Sequence, residues 1–169
     1  MTNWAIRAAT PADVPVIFEL IQALAAYENL SHAVTGQPEW LRDHLFGDRP
    51  CIEALLAVWS EEVVGFALFF PNYSTFLTQP GLYLEDLFVK PEYRGRGLGR
   101  ALLQRLAQVA VARGAGRLEW NVLDWNAPAI AFYEKVGANV LPDWRTCRLT
   151  GANLQALAAG SAEPVLPES

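Results

Sequence analysis

Residues 82–114 read LYLEDLFVKPEYRGRGLGRALLQRLAQVAVARG. Leu82 to Val89 is an apolar run after a Pro80-Gly81 break, which predicts a strand. Leu98 to Arg113 carries Leu98, Leu102, Leu106 and Val109 on one stripe at helical spacing, and Gly114 stops it. Between them, Tyr93-Arg94-Gly95-Arg96-Gly97-Leu98-Gly99-Arg100 turns strand into helix. Glycines let backbone N–H groups approach an anion closely, and the helix N-terminus adds its positive dipole end. Arg94, Arg96 and Arg100 add charge. A pyrophosphate is the natural ligand of such a turn. A dinucleotide fingerprint starting at Gly95 would need glycine where Arg100 stands. No G-x-x-x-x-G-K-[ST] run exists either. The plain alternative is an ordinary glycine-rich strand-to-helix turn, against which the arginines weigh.

Upstream, Trp4 to Ala9 alternates as a short strand. Thr10-Pro11-Ala12-Asp13 starts a helix, with Pro11 suited to the first helical position and Asp13 to the positive end. Val14, Ile17, Phe18, Ile21 and Leu24 follow at helical spacing. After the loop YENLSHAVTGQ, a second short helix carries Trp40, Leu41 and Leu45. Cys51 to Trp59 and Val63 to Phe70, separated by Ser60-Glu61-Glu62, predict a hairpin. Downstream come a strand from Arg117 to Val122, a helix from Ala127 to Val136 and a last strand from Arg145 to Thr150, before an Ala-, Pro- and Ser-rich tail expected to fray. The order β-α-α-β-β-β-α-β-α-β predicts a mixed α/β sheet with helices on both faces. No repeat or linker divides the chain, so residues 1–169 read as a single domain.

Composition excludes several classes. Hydrophobic residues make up 52% and charged residues 18% of the 169, which is a globular balance and not a disordered one. Cys51 and Cys147 have no CxxC neighbours, so neither a disulfide framework nor a metal site is expected. The N-terminus lacks a secretory pattern, and no apolar run approaches the ~18 residues of a membrane span. A cytoplasmic protein with no membrane partner is expected. The net charge of −5, with no dense basic patch outside the turn, argues against nucleic acid.

Arg94-x-x-Gly97-x-Gly99 after LYLEDLFV resembles the [Q/R]-x-x-G-x-[G/A] coenzyme A motif of the GNAT acetyltransferases. EWNVLDWNAPAIAFYEKVGA resembles the next segment of that superfamily: a strand, an Asn, a short helix and a Tyr. IRAATPADVPVIFELIQALAAYENL, YLEDLFVKPEYRGRGLGRALL, NAPAIAFYEKVGA and WRTCRL are similar to the diamine (spermidine/spermine) acetyltransferase family, over nearly the whole span from Ile6 to about Leu157. The resemblance implies a twisted, mostly antiparallel sheet splayed in the middle, acetyl-coenzyme A as acetyl donor, a small primary amine as acceptor, and a homodimer.

It also implies residue roles. Backbone groups of Leu87, Phe88 and Val89 would pair with the cofactor arm like an added strand. Arg94, Gly95, Arg96, Gly97, Leu98, Gly99 and Arg100 would hold the pyrophosphate, and Asn126 and Ala129 would flank the arm. Tyr133 would be the general acid: a phenol of pKa ~10 stays protonated at neutral pH and can give its proton to a departing thiolate. Its plainer reading is a helix-surface aromatic. Glu85 lies in an apolar strand, where a carboxylate needs a partner or water. Facing the cleft it would take the amine's proton or bind the amine. A carboxylate of ordinary pKa ~4.3 facing an ammonium of ~10.4 needs a water relay or a raised pKa for that task. Asp86 points the other way under strict alternation and joins the site only if a bulge re-aims it. Tyr27 and Glu28 would line the amine site, Glu28 attracting a cation; a solvated loop acid is the alternative. Glu119, Trp120 and Asn121 are further substrate candidates. Trp144 reads as packing, and His32 and His44 as surface residues. Neither cysteine has a His or basic neighbour suited to activating it, so direct transfer in a ternary complex is expected over a covalent route. The loop between Ala138 and Trp144 is shorter than in polyamine enzymes, which ranks short diamines and lysine-like amines above spermine. The competing readings are acetylation of a protein N-terminus or an amine drug, and a regulatory module that binds acetyl-coenzyme A without turnover.

Overall fold

The computed structural model describes residues 3–160, so the tail expected to fray lies outside it. Two compact units make up the chain, Met1–Asp124 and Trp125–Ser169. The first holds one sheet in the order β1 (Trp4–Ala8), β2 (Glu53–Trp59), β3 (Glu62–Ser74), β4 (Gln79–Val89), β5 (Leu118–Glu119). The first four pair antiparallel, and β5 runs parallel to β4. The mixed α/β sheet expected from the sequence is therefore present, with hairpins first and a helical crossover later.

Helices α1 (Val14–Tyr27) and α2 (Pro38–Phe46) cover one face. Val14, Ile17 and Leu20 of α1 and Leu45 of α2 pack in one buried cluster with Ala54, Leu56, Phe66, Leu68 and Phe88 of the sheet. Helix α3 (Leu98–Ala112) contacts β2, β3 and β4 through its buried Leu98, Leu102, Leu103 and Leu106, none of which joins that cluster. Its stripe thus covers the opposite face, as the 3.6-residue spacing requires. At its end Arg113 forks onto both Glu53 carboxylate oxygens at 2.6 and 2.7 Å, tying α3 to the start of β2.

The helix start at Thr10 is built around Asp13. Its carboxylate accepts from Arg7 at 2.7 and 2.8 Å, and from the Thr10 N–H and hydroxyl at 2.7 and 2.8 Å. The Arg7 hydrogen bonds and the two from Thr10 hold the Asp13 carboxyl far below the usual range, outweighing its partial burial. Asp13→Asn keeps the size and loses the charge-assisted fork, so unfolding in urea at pH 7 is expected to show a loss of about 1–3 kcal/mol. A depressed folded pKa stabilises above the unfolded value and stops doing so as pH falls through the folded one. The gap between wild type and variant should therefore shrink below about pH 4; an undiminished gap at pH 3 would count against the carboxylate as its cause.

Several elements depart from expectation. Strand β3 runs on to Ser74 through Pro71. The missing N–H of Pro71 is tolerated because β2 stops pairing at Glu53↔Phe69, leaving that side of β3 open. The strand expected over Arg117–Val122 pairs only at Leu82↔Leu118 and Tyr83↔Glu119. The expected strand over Arg145–Thr150 does not form: no neighbour ladders with it, and β-propensity without a partner leaves backbone groups unpaired. Thr150 instead precedes a helix in the second unit, α5 (Gly151–Ala158), which follows α4 (Ala127–Lys135). Trp144, expected to pack, is 76% exposed.

Candidate active site

The site begins with a mismatch in the β3–β4 ladder. Phe69 pairs with Leu84 and Leu68 with Asp86, so Glu85 is an extra residue in β4. One inserted residue reverses the alternation beyond it. Asp86 then lies on the α1 face, level with buried Leu68 and Ala54 and next but one to buried Phe88. Strict alternation would have put it on the α3 face with Leu84. The condition on which Asp86 depended is met.

That position sets the electrostatics. Burial, then the neighbouring Glu85 and Glu28 carboxylates, push the Asp86 carboxyl up to about 6. Partial burial also raises Glu28. Glu85 itself is exposed. Tyr83, which sequence reasoning passed over, belongs to the same corner: burial first, then Glu85, Glu119 and Asp86, raise its phenol. Its ring stacks on cross-strand Phe70 at 5.3 Å. The signal available in the sequence was the period-two spacing from Tyr83 to Glu85. Three carboxylates and a phenol that border partly buried surface favour a cation.

Two other acidic or polar candidates are engaged differently. Glu119 accepts from Arg117 Nε at 2.8 Å and Asn72 Nδ2 at 3.1 Å, so its charge is already matched. Asn72 Oδ1 rests on Gly81, where any Cβ would collide with it. Trp120 and Asn121 follow directly after the end of β5.

The bulge also decides which backbone groups meet the open edge of β4. Leu82 N–H reaches Arg117 O on the β5 side, and Lys90 N–H reaches Val64 O on the β3 side. Alternation between those ends, reset at Glu85, aims the N–H and C=O of Leu87 and Val89 at the open edge and those of Asp86 and Phe88 at β3. Because β5 ends at Glu119, no strand among the described residues pairs with that edge beyond Tyr83, and an extended amide-bearing chain can add there beside the Arg94 Nε bond that Val89 O accepts.

The turn after β4 has the form an anion needs. Gly95 and Gly97 hold φ of +73° and +86°, where a side chain would be strained. The helical bonding of α3 starts with Ala101 N–H to Gly97 O at 2.9 Å, leaving the N–H groups of Leu98, Gly99 and Arg100 without a preceding turn to bond. The three arginines are not equivalent. Arg100 stands exposed in the first turn of α3. Arg96 lies over the rings of Trp59 and Tyr93 at 4.9 and 5.7 Å. Arg94 donates from Nε to Val89 O at 2.8 Å and lies over the rings of Tyr27 and Phe88 at 4.5 and 5.5 Å. Tyr27, Glu28, Glu85, Asp86 and Arg94 thus belong to one region of the first unit.

Asn126, Ala129 and Tyr133 belong to the second unit. Asn126 caps α4 by accepting from Ala129 N–H at 3.3 Å. Tyr133 follows Ala129 by one turn, on the same side of the helix. Its carbonyl closes the helix by accepting from Val136 and Ala138 N–H at 3.2 and 3.0 Å.

Comparison with known proteins shows the family. Residues 18–138 match the family described as "Acetyltransferase (GNAT) family". The chain is 38% identical to "L-ornithine N5-acetyltransferase NATA1" of Arabidopsis thaliana, covering 90% of this chain and 86% of the relative. It is 39% identical to "Thialysine N-epsilon-acetyltransferase" of Bos taurus, covering 90% of this chain and 96% of the relative. In fold it superposes on an integron cassette protein from the mobile metagenome of V. cholerae with a TM-score of 0.77 at 24% identity, covering 94% of this chain and 99% of the other. No helix among the described residues is long and apolar enough to cross a membrane.

Proposed function

The chain belongs to the GNAT acetyltransferase family as an N-acetyltransferase, and on that footing we propose that it moves acetyl from acetyl-coenzyme A directly onto a primary amine of a small diamine or an ornithine- or lysine-like amino acid. The observation that carries the acceptor class is the bulge that sets Asp86 beside Glu28 and Glu85. A second ammonium on the acceptor would neutralise that corner and relieve its mutual repulsion, and the interaction strengthens where the groups are partly desolvated. The named substrates of the ornithine and thialysine relatives, each an amino acid with a second amine, fit the same chemistry.

In this reading coenzyme A supplies a thioester, the activated acetyl group. Leu87 and Val89 bind its amide arm from the open edge of β4, with Phe88 contributing through the packing that fixes the strand. Gly95 to Arg100 hold the pyrophosphate, with Arg94 beside them, and Asn126 and Ala129 shape the start of α4. Glu85 takes a proton from the bound ammonium, directly or through water. Tyr133 returns one to the sulfur as the carbon–sulfur bond breaks. Tyr27 and Glu28 orient the far end of the amine, while Trp120 and Asn121 border it. The family match runs past Asp124 to residue 138, which supports reading residues 1–169 as a single acetyltransferase domain. A cytoplasmic homodimer completes the proposal.

Thiol release from acetyl-coenzyme A against an amine panel tests it. L-ornithine, lysine-like amines and short diamines are expected to react fastest. A large margin for spermine would overturn that ranking, reaction with peptides alone would overturn the small-amine assignment, and coenzyme A binding with no acceptor at all would favour a regulatory module.

A further inference from the structure

Arg94 touches both the cofactor turn and the amine corner. Its Nε is committed to Val89 O, at the end of the strand expected to hold the cofactor arm. Its guanidinium carbon lies over the ring of Tyr27, the last residue of α1, at 4.5 Å. The chain beyond Tyr27 is a tight turn: Glu28, Asn29 and Leu30 N–H groups bond back to Leu24, Ala26 and Ala25 carbonyls at 3.0, 3.2 and 2.7 Å. Asn29 sits at φ +59°, a left-handed position that Asn tolerates. Tyr27 and Glu28 are therefore neighbours in one hydrogen-bonded turn, and Arg94 lies on the ring at its start.

A guanidinium uses its edge for hydrogen bonds and its face for stacking, and the two do not compete. An anion at the glycine turn would meet the terminal nitrogens of Arg94 along the edge while the face stays on Tyr27. Holding that edge narrows the motion of the guanidinium, and through the stack it narrows the motion of the Tyr27–Glu28 corner. The amine then binds a corner whose ordering has already been accomplished, which is positive coupling without a large rearrangement.

We propose that Arg94 is a positioning residue that couples the cofactor turn to the amine-binding corner through Tyr27, so that coenzyme A and the amine strengthen each other's binding. The proposal rests on the function assigned above and adds to it a link between the two sites. Linkage requires the same factor in both directions.

Calorimetric titration of coenzyme A, without and with saturating L-ornithine or 1,3-diaminopropane, reads the coupling directly. In the wild type the amine should lower the Kd of coenzyme A about three- to tenfold, the range of a partly desolvated cation–π contact. Tyr27→Leu should bring that ratio to about one whatever it does to the Kd of coenzyme A alone, since Tyr27 touches Arg94 and the two are not independent. Tyr27→Phe keeps the ring and should keep the ratio. Arg94→Lys keeps the charge but lacks the planar face, and it should lose the ratio whatever it does to coenzyme A affinity. A wild-type ratio near one with both amines, or an undiminished ratio in Tyr27→Leu, would overturn the coupling and leave the acetyltransferase assignment standing. Absence of coenzyme A binding to the wild type would overturn both.

Discussion

Tyr133→Phe is expected to lower kcat about 10²–10⁴-fold, the usual worth of one general acid, while leaving the Kd of coenzyme A within about twofold. The substitution removes a single oxygen. Tyr133 contributes to the end of α4 through its backbone carbonyl, which the variant retains. Its ring lies 5.2 Å from that of Phe132, and a phenylalanine ring fills the same space. The backbone bonds at the end of α4 and the ring contact with Phe132 are thus retained, and the group removed is the phenol oxygen assigned as proton donor. A thiolate leaving a tetrahedral centre carries charge that water would otherwise stabilise, so a donor at the sulfur acts on the transition state and not on either bound ground state. The measurement is single-turnover acetyl transfer from pre-bound acetyl-coenzyme A, which separates chemistry from product release. A fall of less than tenfold in that step would remove Tyr133 from the acid role and return it to packing.

The strand–turn–helix from Leu82 to Gly114 was legible because every local rule points one way. The strand is apolar, the turn is glycine-rich, and the leucines of the helix recur on one stripe. The bulge at Glu85 was not legible, since no glycine or proline marks it. It is a property of two strands in register, visible only once Leu68 is paired with Asp86 and Phe69 with Leu84. The role of Asp86 hung on that one inserted residue, and so did the aim of the Leu87 and Val89 backbones. The same logic explains the error at Arg145–Thr150: a strand is defined by its neighbour, and the six-residue window RTCRLT says nothing of whether one exists. The arginines of the turn show a further limit. Their number gives charge, but whether each faces an anion or an aromatic ring depends on Tyr27 and Trp59, which lie 67 and 37 residues away from Arg94 and Arg96.

Asp86→Asn is expected to make the protein more stable and the enzyme much worse. With its folded pKa near 6 against an ordinary 3.8, Asp86 binds a proton in the folded chain before it does so unfolded. Stability therefore falls as pH rises from about 4 through 6, and above that range the ionised Asp86 costs up to about 3 kcal/mol. Burial contributes most of that cost, and the Glu85 and Glu28 charges add to it. Asparagine removes the charge at nearly constant shape, so urea unfolding at pH 8 should show a gain of about 1–3 kcal/mol, and the gain should vanish near pH 4. Activity moves the other way. An ammonium that exchanges water for a partly buried carboxylate loses about 2–5 kcal/mol when that carboxylate is deleted, which places the fall in kcat/KM for L-ornithine at roughly 30-fold to several thousand-fold. Wild-type kcat/KM should also fall on the acid side as Asp86 takes up its proton near pH 6, and the variant should lack that limb. A variant that is less stable at pH 8 and keeps the acid limb would show that Asp86 is an ordinary paired carboxylate, and that the bulge re-aims it for packing and not for the amine.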